Sequence, residues 1–103
     1  KELEGCSFPA PMLGHVGDGN FHLIYVIDPN SEAEIAEAED LNARMIRRAL
    51  AMDGTCTGEH GIGLGKKDFL VEELGEAVEV MRQIKRALDP ENIMNPGKMI
   101  DLE

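Results

Sequence analysis

The sequence predicts an α+β fold, an antiparallel sheet with helices packed on one face in the manner of a ferredoxin-like sandwich. Three observations predict it. Apolar residues alternate along positions 21–27, just past a Gly-Asp-Gly turn, they recur every three or four residues over about 35–52, and a second such stripe runs over 78–88. The first pattern has the two-residue period of a strand; the other two have the period of an α-helix.

Taken in order, Met12 to Ile27 suits two strands around Gly17-Asp18-Gly19, because Asp-Gly readily adopts the positive φ angles of a tight hairpin. Phe21, Leu23, Tyr25 and Ile27 share one face of the second strand, and His22, Ile24 and Val26 the other, so both faces are expected to be covered at its far end. Asp28-Pro29-Asn30 ends that strand. Ser31 and Glu34 make a capping box that opens a helix reaching about Met52, with Ile35, Ala38, Leu41, Met45, Ala49 and Met52 as its apolar stripe. Asp53-Gly54 stops it. Thr55 to Gly58 reads as one more short strand, and the glycine-spaced run from Glu59 to Gly65 as a loop that something must hold. A second helical region starts near Lys67, is interrupted near Gly75, and turns Val78, Met81, Ile84 and Leu88 inward before Asp89-Pro90 breaks it. Asn95-Pro96-Gly97 is a turn signal.

A chain of 103 residues suits one small domain, with one modest core. Its formal charge of −10 would repel nucleic acid or an anionic membrane surface. Much of that charge lies at the start of the first helix, where it suits the helix dipole. No apolar run approaches the roughly 20 residues that would cross a bilayer, no signal-peptide pattern opens the chain, and two cysteines are too few for a disulfide framework. These features predict a soluble, cytoplasmic protein.

All three histidines fall in the two glycine-rich stretches. In Gly14-His15-Val16-Gly17-Asp18-Gly19-Asn20-Phe21-His22, a reversal at Gly17-Asp18-Gly19 brings His15 and His22 toward each other, as metal ligands require, although two unrelated edge histidines would give the same spacing. In Gly58-Glu59-His60-Gly61-Ile62-Gly63, neighbouring side chains are expected to point apart, so that Glu59 turns to a metal and His60 faces a substrate as base. A solvated polar loop is the plainer reading of Glu59-His60, but such a loop has no need of so many glycines. Asp18-Gly19-Asn20 lacks the later ligands of a calcium loop, and Gly61-Ile62-Gly63-Leu64-Gly65-Lys66 is not a phosphate-binding loop. Cys56 is expected to be a packed thiol, and the helical methionines core.

Gly14 to His22, Gly54 to Lys66 and Asn95-Pro96-Gly97-Lys98 together resemble the C-terminal domain of FAD-linked oxidases over nearly the whole chain. The resemblance is to the branch of the vanillyl-alcohol oxidase superfamily with the glycolate oxidase flavoprotein subunit, D-lactate dehydrogenase and D-2-hydroxyglutarate dehydrogenase. It implies a divalent metal, zinc or manganese with iron as a further choice, on His15, His22 and Glu59. It also implies His60 as the base, Asn20 near substrate and flavin, and Asn95 in contact with the flavin. The implied reaction oxidises a small 2-hydroxy acid, of glycolate or D-lactate type, to the 2-oxo acid by hydride transfer to FAD. On this reading residues 1–103 are the substrate-side domain of a larger flavoprotein whose N-terminal FAD-binding domain is absent, and the piece alone is inactive and holds no flavin. Its partners are that domain, the hydroxy acid and any further oxidase subunits, which offer the one route to a membrane. Two other classes stay open: a stand-alone metal-dependent hydrolase and a non-catalytic binding or dimerisation module.

Overall fold

The computed structural model describes residues 1–103, which divide into two compact units, Lys1–Asp53 and Gly54–Glu103. The architecture is α+β with an antiparallel sheet. In the first unit β1 (Met12–Leu13) pairs with β2 (His22–Leu23), Met12 opposite Leu23 and Leu13 opposite His22. Beyond β2 the pairing continues on one side only: the N–H of Ile24 donates to the Pro11 carbonyl at 3.0 Å and that of Val26 to Pro9 at 2.9 Å. Pro9 and Pro11 have no N–H to give back, and this confines the regular ladder to two residues per strand.

α1 (Glu32–Ala51) follows, and Ser31 caps it: its hydroxyl accepts the Glu34 N–H at 3.3 Å. The expected box is only half formed, because the Glu34 carboxylate reaches past Ser31 to the Asp28 N–H at 2.6 Å. Ala38 and Leu41 bury against Phe8, with Leu3, Cys6, Tyr25 and Ile27 around them. Phe8 and Tyr25 meet edge to face, ring centres 6.0 Å apart. The helix thus lies on the Tyr25–Ile27 face of the hairpin. The opposite face is not covered as expected: Ile24 and Val26 are exposed. At the end of the expected stripe Met52 is exposed too, while Ile46, outside it, is buried.

The N-terminal segment, to which the sequence assigned no role, belongs to this core. Besides burying Phe8, it places the Glu2 carboxylate between Arg44 and Arg48 of α1, and the Ser7 N–H donates to Glu37 at 3.0 Å. The helix arginines therefore hold the segment around Glu2 as well as matching the helix dipole.

In the second unit the strand expected at Thr55 to Gly58 does not form; residues 54–66 are irregular. α2 (Lys67–Leu74) and α3 (Ala77–Leu88) come next, separated by Gly75 at φ 53°. Leu70, Val78 and Ile100 form a second buried cluster with Ile62 and Met81, so two small cores replace the single one expected. Of the α3 stripe, Val78 and Met81 face this cluster, whereas Ile84 and Leu88 are exposed. Lys67 and Arg82 tie down the last residues, donating at 2.7 Å to the side chain and the carbonyl of Asp101 respectively. No helix is long and apolar enough to cross a membrane.

Candidate functional site

The hairpin carries three of the candidate residues. Its reversal is a single 3-10 turn over Val16–Asp18, closed by Gly19 at φ 70°. The His15 carbonyl accepts two N–H groups, from Asp18 at 2.9 Å and Asn20 at 3.2 Å, which fixes the backbone on either side of the turn. Gly14 lets the two legs come together: a Cβ there would lie 2.6 Å from both the Asn20 carbonyl oxygen and the Phe21 Cα, far inside contact distance. His22 is paired opposite Leu13 and His15 lies beyond the last rung, exposed, so the two histidines do not face each other across the ladder. Asn20 is half-buried, and its side-chain oxygen is shut off from solvent with no hydrogen-bond partner, as are the Tyr25 hydroxyl and the Asn92 side-chain oxygen. A buried amide oxygen left unsatisfied costs free energy that a ligand donor would recover.

Glu59 and His60 sit on the glycine loop of the second unit, both exposed. They do not point apart as expected. His60 Nε2 lies 3.7 Å from Glu59 Oε1, and the chain beyond them turns through Gly61 at φ 78° and Gly63 at φ 56°. Three bonds hold this loop. The Glu73 carboxylate of α2 accepts the Cys56 N–H at 2.9 Å, the Thr57 hydroxyl donates to the Gly61 carbonyl at 3.1 Å, and the Met99 N–H donates to the Gly63 carbonyl at 2.7 Å. Accepting the Cys56 N–H keeps the Glu73 carboxyl below its ordinary range. Burial, with Glu73 beside it, pushes the Cys56 thiol up to about 11, so it stays protonated at neutral pH and is a packed group rather than a nucleophile.

Asn95 stands at the first position of the expected turn: Lys98 N–H donates to its carbonyl at 3.2 Å, and Gly97 at φ 71° supplies the left-handed residue after Pro96. It lines an open groove of about 610 Å³ with Ile84, Leu88, Met94 and Met99, where the exposed half of the α3 stripe lies. Through the Met99–Gly63 bond this C-terminal segment is joined to the loop of Glu59 and His60.

Two carboxylates escaped the sequence reading, Glu73 and Asp89. Asp89 is the one buried charged side chain and accepts the N–H groups of Ile93 at 3.0 Å and Met94 at 2.8 Å. Its signal was legible in part: an acid at the C-terminal end of a helix opposes the dipole, and Lys85 stands one turn earlier.

A family model described as "FAD linked oxidases, C-terminal domain" matches residues 2–99, a span that takes in His15, Asn20, His22, Glu59, His60 and Asn95. The chain is 59% identical over 102 residues to a Danio rerio protein named "Probable D-lactate dehydrogenase, mitochondrial", covering 98% of this chain and 20% of that protein. It is 54% identical to the Arabidopsis thaliana "D-lactate dehydrogenase [cytochrome], mitochondrial", over 97% of this chain and 18% of that one. To the glycolate oxidase subunit GlcD of Bacillus subtilis it is 41% identical, over 95% of this chain and 20% of the relative. The chain therefore spans about a fifth of the length of these relatives.

Proposed function

We propose, from the premise that the chain belongs to the C-terminal domain family of FAD-linked oxidases, that it is the substrate-side part of an FAD-dependent enzyme oxidising a small 2-hydroxy acid of D-lactate or glycolate type to the 2-oxo acid. The observation that carries this reading is the family match from residue 2 to residue 99, which includes every candidate residue. The relatives' names supply the substrate class. An FAD-binding domain elsewhere in the same protein is the partner that this reading requires.

Each residue has a task that its chemistry suits. Asn20, with a side-chain oxygen that is buried and unpartnered, accepts a hydrogen bond from the substrate and orients it. His60 takes the hydroxyl proton; imidazole is the side chain best matched to that transfer near neutral pH. Asn95, which lines an apolar groove, contacts the flavin. The bound flavin supplies the redox chemistry, accepting the α-hydrogen with its electron pair. Two imidazoles and a carboxylate suit zinc, manganese or iron, and His15, His22 and Glu59 are the residues we assign to a divalent cation, which would steady the negative charge developing on the substrate oxygen. The two thiols fit a reducing compartment, the cytoplasm in the reading above and the mitochondrion for the relatives so named.

The test is His60→Ala in the full-length flavoprotein, assayed with D-lactate and glycolate. Turnover should fall by about 10²- to 10⁴-fold, the usual contribution of a general base, with flavin content unchanged. Undiminished turnover would remove His60 from the mechanism. Ester or phosphoester hydrolysis by the chain in the absence of flavin would replace the proposal with a metal-dependent hydrolase.

A further inference from the structure

Asp89 closes α3 at the end where the helix dipole disfavours an acid, and its side chain is 5% exposed. A carboxylate in such a place needs compensation from groups around it. It has three partners: Lys85, one turn back on α3, donates to Oδ2; the Met94 N–H donates to Oδ2 at 2.8 Å; and the Ile93 N–H donates to Oδ1 at 3.0 Å, while the backbone carbonyl of Asp89 takes the Asn92 N–H at 3.0 Å. The Lys85 ammonium also donates to the Met94 carbonyl. Two successive amides and the carbonyl between Met94 and Asn95 are thus held by one ion pair. Asn95 comes next, at φ 46°, a left-handed conformation that asparagine tolerates better than other residues with a side chain. Downstream, the Pro96-Gly97 turn holds its carbonyl through Lys98.

We infer that Asp89 and Lys85 are positioning residues for Asn95: the half-buried ion pair fixes the Ile93–Met94 backbone and thereby aims the Asn95 side chain at the flavin. The inference rests on the reading of Asn95 as a flavin contact. Asp89 acts through Asn95 and touches neither substrate nor cofactor. The arrangement also explains why an acid stands at the unfavourable end of α3, since a neutral cap would suit the helix dipole better but could not pair with Lys85 while accepting from both Ile93 and Met94.

The experiment uses the full-length flavoprotein and four variants, D89N, K85Q, N95A and the D89N/N95A pair, with two readouts: the FAD dissociation constant from flavin fluorescence, and amide hydrogen exchange at Ile93 and Met94. D89N keeps the shape but removes the charge and turns one acceptor into a donor. It should speed exchange at both amides and weaken FAD binding on the order of tenfold. The double variant should bind FAD no more weakly than N95A alone, because the loss passes through the same side chain. Multiplying losses would make Asp89 merely structural and overturn the inference, as would parental exchange and affinity in D89N. If D89N does not fold, K85Q decides: it retains both amide bonds and should shift both readouts in the same direction but less, and parental values in K85Q would overturn the inference. Parental FAD affinity in N95A is a different failure, since it removes the flavin contact itself whatever the exchange at Ile93 and Met94 shows.

Discussion

The hairpin of the first unit and the glycine loop of the second both present candidate side chains on irregular backbone, but they are held by different forces. In the hairpin, backbone bonds to backbone: the His15 carbonyl takes two amides, Ile24 and Val26 donate to proline carbonyls, and Gly14 brings the legs within a distance that no side chain permits. In the second unit, carboxylates add to backbone acceptors: Glu73 holds Cys56 and Asp89 holds Ile93 and Met94, while the Gly61 and Gly63 carbonyls accept from Thr57 and Met99. Its glycines serve conformation and not close approach, since a Cβ at Gly61 or Gly63 would meet nothing. One site is therefore sensitive to volume and the other to charge.

The largest effect that follows is at Gly14. Gly14→Ala must displace the Asn20–Phe21 backbone, and urea unfolding should show a loss of about 2–4 kcal/mol, the sum expected for overpacking and an unfavourable φ. A loss near zero would mean that the hairpin legs are not in fact held together there.

Next in size is the chemistry of Cys56. With its thiol pushed up to about 11 from an ordinary 9.0, the thiolate fraction at pH 8 falls about a hundredfold on folding. Iodoacetamide should modify Cys56 at least that much more slowly in the native chain than in the urea-unfolded one. Equal rates would show that Glu73 and burial do not act on this thiol.

The smallest and most discriminating effect is on acidification. Glu73 and Asp89 lie below their ordinary values of 4.5 and 3.8, Glu73 chiefly through the Cys56 amide and Asp89 chiefly through Lys85. A depressed carboxyl stabilises the fold fully above its ordinary value and loses that contribution as pH falls through the lowered one. Amide protection at Cys56, Ile93 and Met94 should therefore decline below about pH 4, while protection at Ile24 and Val26, which rests on carbonyl acceptors, holds longer. Simultaneous loss at all five amides would erase the distinction between the hairpin and the second unit.

Much of the molecule was legible from local pattern. The Ser31 cap, the three- and four-residue spacing of Ala38 and Leu41, Gly75 between two helices and the Asn95-Pro96-Gly97 turn all depend on neighbours within one or two turns, and the structure has each where expected. The helix bounds followed for the same reason. The resemblance identified the family because its motifs recur in order along the chain, and order is a property of sequence.

What the sequence by itself determined, then, was the hairpin, the helices and the family, and it named the candidate residues. Only the tertiary structure decided which apolar residues are covered and what holds the loops. Periodicity says that Val78 and Leu88 share a helix face; it does not say that a core exists opposite one and an open groove opposite the other. Nor does composition show that Thr55 to Gly58 lacks a strand partner, that Phe8 fills the first core, or that Asp89, readable only as a helix breaker, folds back on Ile93 and Met94. Such pairings join residues through space, where burial makes a hydrogen bond or an apolar contact count, and local propensity carries no record of them.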